Sequence, residues 1–328
     1  MTKESKTVIQ AIALGLVSNL FLSVGLIVNS LMAFSGSHWA WTASLRYWLL
    51  LPFLLIIVAG NRQLKPLLIA MKQMPGTFLI WGNIGFGIFY AFLTFASLFA
   101  PGWLVAAGFE ITILAGLLLA PFIYSDHRAI IPRKALLLSA LLVVSIAVMQ
   151  LEKMKSFHLG DSTLISLGLT LVAAFLWPLG NRKLMLDLEH RNIHLSAWQR
   201  VLGMCLGSLP VLILLAVYGF YESGPPAKVQ VFSSLMAALF SGVLGSVLFF
   251  KAIQLVRKNP TALATVEATQ VTTIFFTLLG EIIFKGVGWP GFYGNLGFLI
   301  MLLGLSYYVF LSVQSNKSKK ILQPDHVH

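Results

Sequence analysis

The chain reads as an all-α integral membrane protein: ten transmembrane helices forming two inverted five-helix repeats, with both termini on the cytoplasmic side. Three observations predict this. Of its 328 residues 58% are hydrophobic and only 10% charged, against roughly 25% charged in an ordinary soluble domain, and mean hydropathy is +0.86. The apolar residues gather into long runs between short charged stretches, unlike the alternating segments of about ten residues that an outer-membrane barrel requires. An arginine near the end of an apolar run occurs twice, at Arg46 and Arg200, 154 positions apart (200 − 46). A guanidinium at the centre of a membrane helix costs about 2.5–3.5 kcal/mol and less near an end, so two at matching places imply a duplication with a purpose.

Ten spans follow from hydropathy and flanking charge: 7–31, 41–60, 76–97, 102–123, 135–151, 162–183, 199–219, 232–256, 260–283 and 292–313. Each suits a hydrocarbon core about 30 Å thick. Lys3 and Lys6 precede an apolar run too long for the roughly 7–15-residue core of a signal peptide, so it counts as the first membrane helix. With the N-terminus inside, sixteen Lys and Arg residues fall on the cytoplasmic side and four, Lys153, Lys155, Lys228 and Lys285, on the outer side. Cationic residues favour cytoplasmic loops, so the net charge of +12 records orientation in a bilayer and implies no nucleic-acid partner. The lone cysteine, Cys205, lies in the seventh span and has no partner for an intrachain disulfide.

The repeat appears as landmarks in the same order: Asn29 with Asn181, Arg46 with Arg200, and the run from Glu110 with the run from Gln270, at offsets of 152, 154 and 160. Five helices separate the copies, and an odd number turns the second copy over in the membrane. The expected units are residues 1–156, residues 157–314 and a cytoplasmic tail, 315–328.

Polar residues facing lipid are costly, so they should gather on inward stripes. At about 100° per residue, Asn83, Tyr90, Thr94 and Ser97 share a face of the third span. Asn19, Ser23 and Ser30 do so in the first, Ser166, Thr170, Trp177 and Asn181 in the sixth, and Glu267, Gln270, Thr277 and Glu281 in the ninth. Helix packing through hydroxyl residues accounts for most Ser and Thr positions. Glu110 and Glu267 differ, because each lies about eight residues into its span, where a carboxyl group needs a partner or a proton. They are the expected coupling or substrate residues, with Gln270 beside Glu267. Arg46, Arg200 and Lys251 are expected to hold anionic groups or to lock gates by pairing with carboxylates. Lys251 also lies within snorkelling reach of the cytoplasmic face, and the two arginines read as rims or gates near opposite faces. Asn83, Tyr90, Trp81 and Trp177 are expected to shape the pocket. Glu281 sits near the outer end of its span, where a solvated carboxylate costs little, and reads as a cap or hinge contact. Trp39, Trp41, Trp103 and Trp289 read as interfacial belt residues, and Gly203 with Gly207 as a close-packing pair.

Hydrolase, redox and nucleotide-binding signatures (HExxH, CxxC, GxSxG, GxxxxGK[ST]) do not occur, so neither an enzyme nor ATP-driven transport by this chain alone is indicated. His190 and His194 have a metal-compatible spacing but no third ligand. No metal or cofactor is expected.

The strings SGSHWAWTASLRYWLLLPFLL, WGNIGFGIFYAFLTFASLFAPGWLVAAGFEITILAGLLLAP and ATVEATQVTTIFFTLLGE resemble the drug/metabolite transporter superfamily with EamA-type halves. More narrowly they are similar to its bacterial family named putative multidrug resistance efflux transporters. The resemblance implies efflux of small organic solutes by alternating access, with protons as a coupling ion, from a bacterial cytoplasmic membrane. Either lipophilic cations or an anionic or amino-acid-like metabolite would suit. One departure matters. The four-helix relatives in that superfamily exchange protons at an acid in the first helix, whereas here neither the first span nor the sixth has Asp or Glu, and the role falls to Glu110 and Glu267.

Overall fold

A computed structural model describes residues 3–131, 133–156, 161–256, 260–304 and 306–307. Among them every regular element is a helix. They are α1 (Lys3–Phe34), α2 (Trp39–Gly60), α3 (Leu64–Gln73), α4 (Pro75–Ala96), α5 (Gly102–Ile123), α6 (Arg133–Ser156) and α7 (Asp161–His190), continuing with α8 (Ala197–Gly207), α9 (Leu209–Ser223), α10 (Lys228–Val256), α11 (Pro260–Ala268), α12 (Thr272–Lys285) and α13 (Phe292–Gly304). Six of these, α1, α2, α4, α5, α7 and α10, are long and apolar enough to cross a membrane, and α8 with α9 makes a seventh, bent by 48°. The expected ninth span is α11, a 3-10 turn over Thr269–Val271, and α12. The end of the expected tenth span and the tail 315–328 lie outside the described residues.

Local chemistry explains the breaks. Ser196 and Gln199 form a capping box that starts α8, each satisfying the other's free backbone N–H. Gln199 also donates to the Gln63 carbonyl at 2.7 Å, which ties α8 to the start of α3. The α8–α9 bend falls at Ser208, just before Pro210, whose missing N–H interrupts the ladder. Pro178 likewise cannot bond the Ala174 carbonyl four residues back in α7, and Thr112 Oγ1 donates to that carbonyl at 3.0 Å.

Two of the long helices are underwound. Asn83–Ile88 in α4 and Ala237–Gly245 in α10 are π segments, a geometry that concentrates at functional positions. Ser18 of α1 donates to Gly245 O, at the end of the second segment, at 2.8 Å.

Without water to drive apolar association inside a bilayer, close van der Waals approach must hold such a bundle together. A Cβ at Gly207 would collide with the Phe78 carbonyl of α4, and one at Gly203 with the Phe78 ring. The pair therefore serves α4–α8 packing. Gly207→Leu is expected to cost on the order of 3 kcal/mol and to show as a lowered melting temperature in detergent. Two tryptophans expected in an interfacial belt are instead buried, Trp41 at 8% and Trp103 at 5% exposure. Trp41 turns inward because its Nε1–H finds the Gly224 carbonyl at 2.9 Å.

Candidate functional site

Inside the bundle a cavity of about 180 Å³ has room for roughly ten or more water molecules. It is lined by α1, α2, α4 and α5 from the first half of the sequence and by α7, α8, α10, the Gln270 turn and Thr273 of α12 from the second. Tyr47, Phe86, Phe89, Tyr90, Phe109, Trp177 and Phe250 line it with rings. Arg46, Glu110, Asn181, Ser241, Ser246, Gln270 and Thr273 supply its polar groups. An apolar chamber with few, placed polar groups is the usual form of a small-molecule site.

Arg46 is held from two other helices, α4 and α10. Its Nη1 donates to the Tyr90 hydroxyl at 3.0 Å and its Nη2 to Ser241 Oγ at 2.8 Å, and its Cζ stands 4.6 Å from the centroid of the Tyr90 ring. Tyr90 in turn donates to Asn29 Oδ1 at 2.8 Å. The chain Asn29–Tyr90–Arg46–Ser241 thus links α1, α4, α2 and the π segment of α10. Gly25 makes this possible, since a Cβ there would run into Nη1 and come within 3.0 Å of Ser241 Oγ. Among the described residues the ion pairs are Arg128–Asp126, Arg128–Glu189 and Lys285–Glu281, so Arg46 has no carboxylate partner there.

Glu110 stands where α5 tightens. Ile111 N bonds Gly108 O at 3.3 Å and Ile113 N bonds Glu110 O at 3.1 Å, both three-residue steps. The side chain is buried, and Oε2 has no hydrogen-bond partner among the described residues. Phe109 beside it packs on Phe89 at 5.5 Å and on Trp177 at 6.3 Å between centroids. A carboxyl group in such a wall calls for a proton or a cationic partner. Gln270 enters from its 3-10 turn, which Asn19 secures by donating to Thr269 Oγ1 at 3.1 Å and to Thr272 Oγ1 at 3.3 Å.

The cavity therefore brings together Arg46, Tyr90, Glu110, Trp177 and Gln270 of the residues singled out in the sequence. Four others stand apart, and each placement has a reason. Asn83 lies in the π segment, which winds more slowly than an α-helix and rotates it off the Tyr90 stripe; its Oδ1 accepts from Val211 N at 3.2 Å and caps α9. Trp81 donates to Asp187 Oδ2 at 3.0 Å, beside Thr77 at 3.2 Å. Arg200 is half-buried and Lys251 exposed, and neither lines the cavity; Phe250, one residue from Lys251, takes the inward face. The side chain of Glu267 lies outside the described residues. Ser241 escaped notice because it lies in a π segment, which obeys no 3.6-residue period, and Ser246 because it follows directly on that segment. Trp81→Phe is expected to cost about 1.5–3 kcal/mol of stability, the worth of a hydrogen bond to a charged group, while leaving solute exchange at the wild-type rate.

The fold and cavity define a multi-pass helical membrane protein built around a largely apolar chamber with a few placed polar groups. The chain belongs to the EmrE family, described as "Putative multidrug resistance efflux transporter", which it matches over residues 9–314. Membership places it among membrane efflux transporters. It is 39% identical over 323 residues to "Uncharacterized protein YjlA" of Bacillus subtilis (strain 168), covering 96% of this chain and 98% of that one. It is 37% identical over 269 residues to an "Uncharacterized 42.1 kDa protein in intracellular alkaline protease 3'region" of Shouchella clausii, covering 80% and 70%. A solved structure titled "Crystal structure of protein" shares the fold at a TM-score of 0.58 and 12% identity, covering 91% of this chain and 98% of that one.

Proposed function

We propose that this protein is a secondary active transporter that exports a small organic solute by alternating access, coupled to protons, across a bacterial cytoplasmic membrane. The observation that carries the reading is the make-up of the cavity: helices from both halves of the sequence line it, and it holds a guanidinium and a carboxyl group that form no ion pair among the described residues. A binding site between two repeats serves both membrane faces in turn as one repeat rocks against the other. Matching irregularities support two inverted repeats, residues 1–156 and 157–314. The π segments begin at Asn83 and Ala237, an offset of 154 (237 − 83), and the tightened turns at Glu110 and Gln270 differ by 160 (270 − 110). With ten spans and both termini inside, the basic loops face the cytoplasm.

Glu110, with Glu267 as its counterpart candidate, carries the proton in this scheme. Arg46 and Gln270 hold the solute's polar groups, and Tyr90 and Trp177 wall its apolar body. Proteoliposomes loaded with solute and given an imposed pH gradient test it. The expected result is uphill movement of solute that collapses when a protonophore dissipates the gradient; solute movement insensitive to the gradient, or ohmic conductance without saturation, would sink the proposal.

A further inference from the structure

The family's description points to drugs, and drug efflux in general means lipophilic cations, yet the chamber carries a fixed cation of its own. Arg46 is preorganised by Tyr90 and Ser241 and by the space that Gly25 leaves. Two of its N–H groups are thereby spoken for, and a guanidinium offers five in a planar fork. With no carboxylate among the described residues to neutralise it, the remaining edge suits a carboxylate, which such a fork binds in a bidentate manner. A lipophilic cation in this small space would instead meet a like charge at low dielectric.

We infer that the transported solute is a zwitterion with an apolar or aromatic body, its carboxylate received by Arg46 and its ammonium by Glu110. This inference rests on the export reading above and names the substrate class of the same cavity. The charge balance follows. With Glu110 protonated the chamber bears one positive charge; with Glu110 ionised it bears none, and a zwitterion brings none. The ammonium and the proton compete for one carboxyl group. A proton arriving from outside displaces the solute outward, and a solute arriving from inside displaces the proton inward, which yields exchange of one for the other. A solute with a carboxylate alone would not compete with the proton, since protonated Glu110 would favour it. The rings of Phe89, Phe109 and Trp177 would flank the body.

The test uses the full-length protein in proteoliposomes and a panel of aromatic and aliphatic α-amino acids. For each it includes the amide, which lacks the carboxylate, and the deaminated acid, which lacks the ammonium, with tetraphenylphosphonium as a lipophilic cation. At least one amino acid is expected to drive counterflow, with both truncated analogues at least tenfold weaker. Arg46→Gln should lose that discrimination against the amide, and Arg46→Lys should restore part of it. Arg200→Gln, outside the cavity, should keep wild-type preference. An amide or deaminated acid as good as its parent, or transport of the phosphonium with the amino acids inert, would overturn the zwitterion while leaving export intact. Absence of counterflow with every solute would overturn both readings.

Discussion

Glu110→Gln is expected to abolish accumulation driven by a pH gradient while leaving solute-for-solute exchange in place. The glutamine keeps the volume and one oxygen acceptor but cannot exchange a proton, and the rings of Phe89, Phe109 and Trp177 beside it tolerate an uncharged group. Exchange requires only that the solute fit both conformations; accumulation requires that a proton take the same place in between. If the solute's ammonium meets this carboxyl group, the variant also shows a raised KM in exchange, because a charge-assisted contact becomes a neutral one. Counterflow and gradient-driven flux measured on the same vesicles separate the two effects. Glu267→Gln, in parallel, tells whether the second half contributes. Coupling that survives unchanged in both variants would remove the acidic pair from the scheme.

The sequence held the helices and the identity of the charged residues, but not the depth of those residues. Starting the second span at Trp41 put Arg46 near a rim. The helix begins at Trp39, so Arg46 is seven residues in (46 − 39) and Glu110 is eight in from Gly102 (110 − 102). At about 1.5 Å per residue both lie roughly 10–12 Å from the same end, which explains why one cavity takes them both. Arg200 has the matching sequence position yet stops short of the cavity, because it stands in the first turn of the short α8, ahead of the bend. Asn83 and Ser241 were misjudged or missed for one reason, the two π segments. Periodicity arguments assume a constant turn per residue, and the helices depart from it where they carry the site.

Glu281→Gln is expected to lower the melting temperature markedly and to open the end of the bundle where α1 finishes and α5 begins. The sequence reads this residue as a cap or hinge contact at a solvated outer end; it is a cap, but a fully buried one. Pro101 precedes α5, so no Ser, Thr, Asp or Asn supplies an N-cap for its free backbone N–H groups. Inside a membrane those donors need an acceptor, and the Glu281 carboxylate provides it: Oε1 accepts from Gly102 N at 2.9 Å and Oε2 from Trp103 N at 3.0 Å. Ser30 of α1 donates to the same carboxylate, and Lys285 pairs with it at 2.9 Å. One side chain thus joins α1, α5 and α12, and it grips the start of the same helix that carries Glu110 two turns on. Removing one member of a buried pair typically costs about 3–5 kcal/mol, since the other charge is stranded. Under the alternating-access scheme proposed above, that cost falls on the conformation in which the pair is buried, and the expected result is a shift toward the one open at this end. A cysteine at Thr273, in the cavity wall, reports the shift, because the chain's own cysteine, Cys205, is buried. An impermeant maleimide applied from outside should label it faster in Glu281→Gln than in wild type, and faster also in Lys285→Met. Ser30→Ala, which spares both charges, should change the rate least. Equal labelling in all four proteins, with the melting temperature still lowered, would reduce Glu281 to a cap and deny it a part in gating.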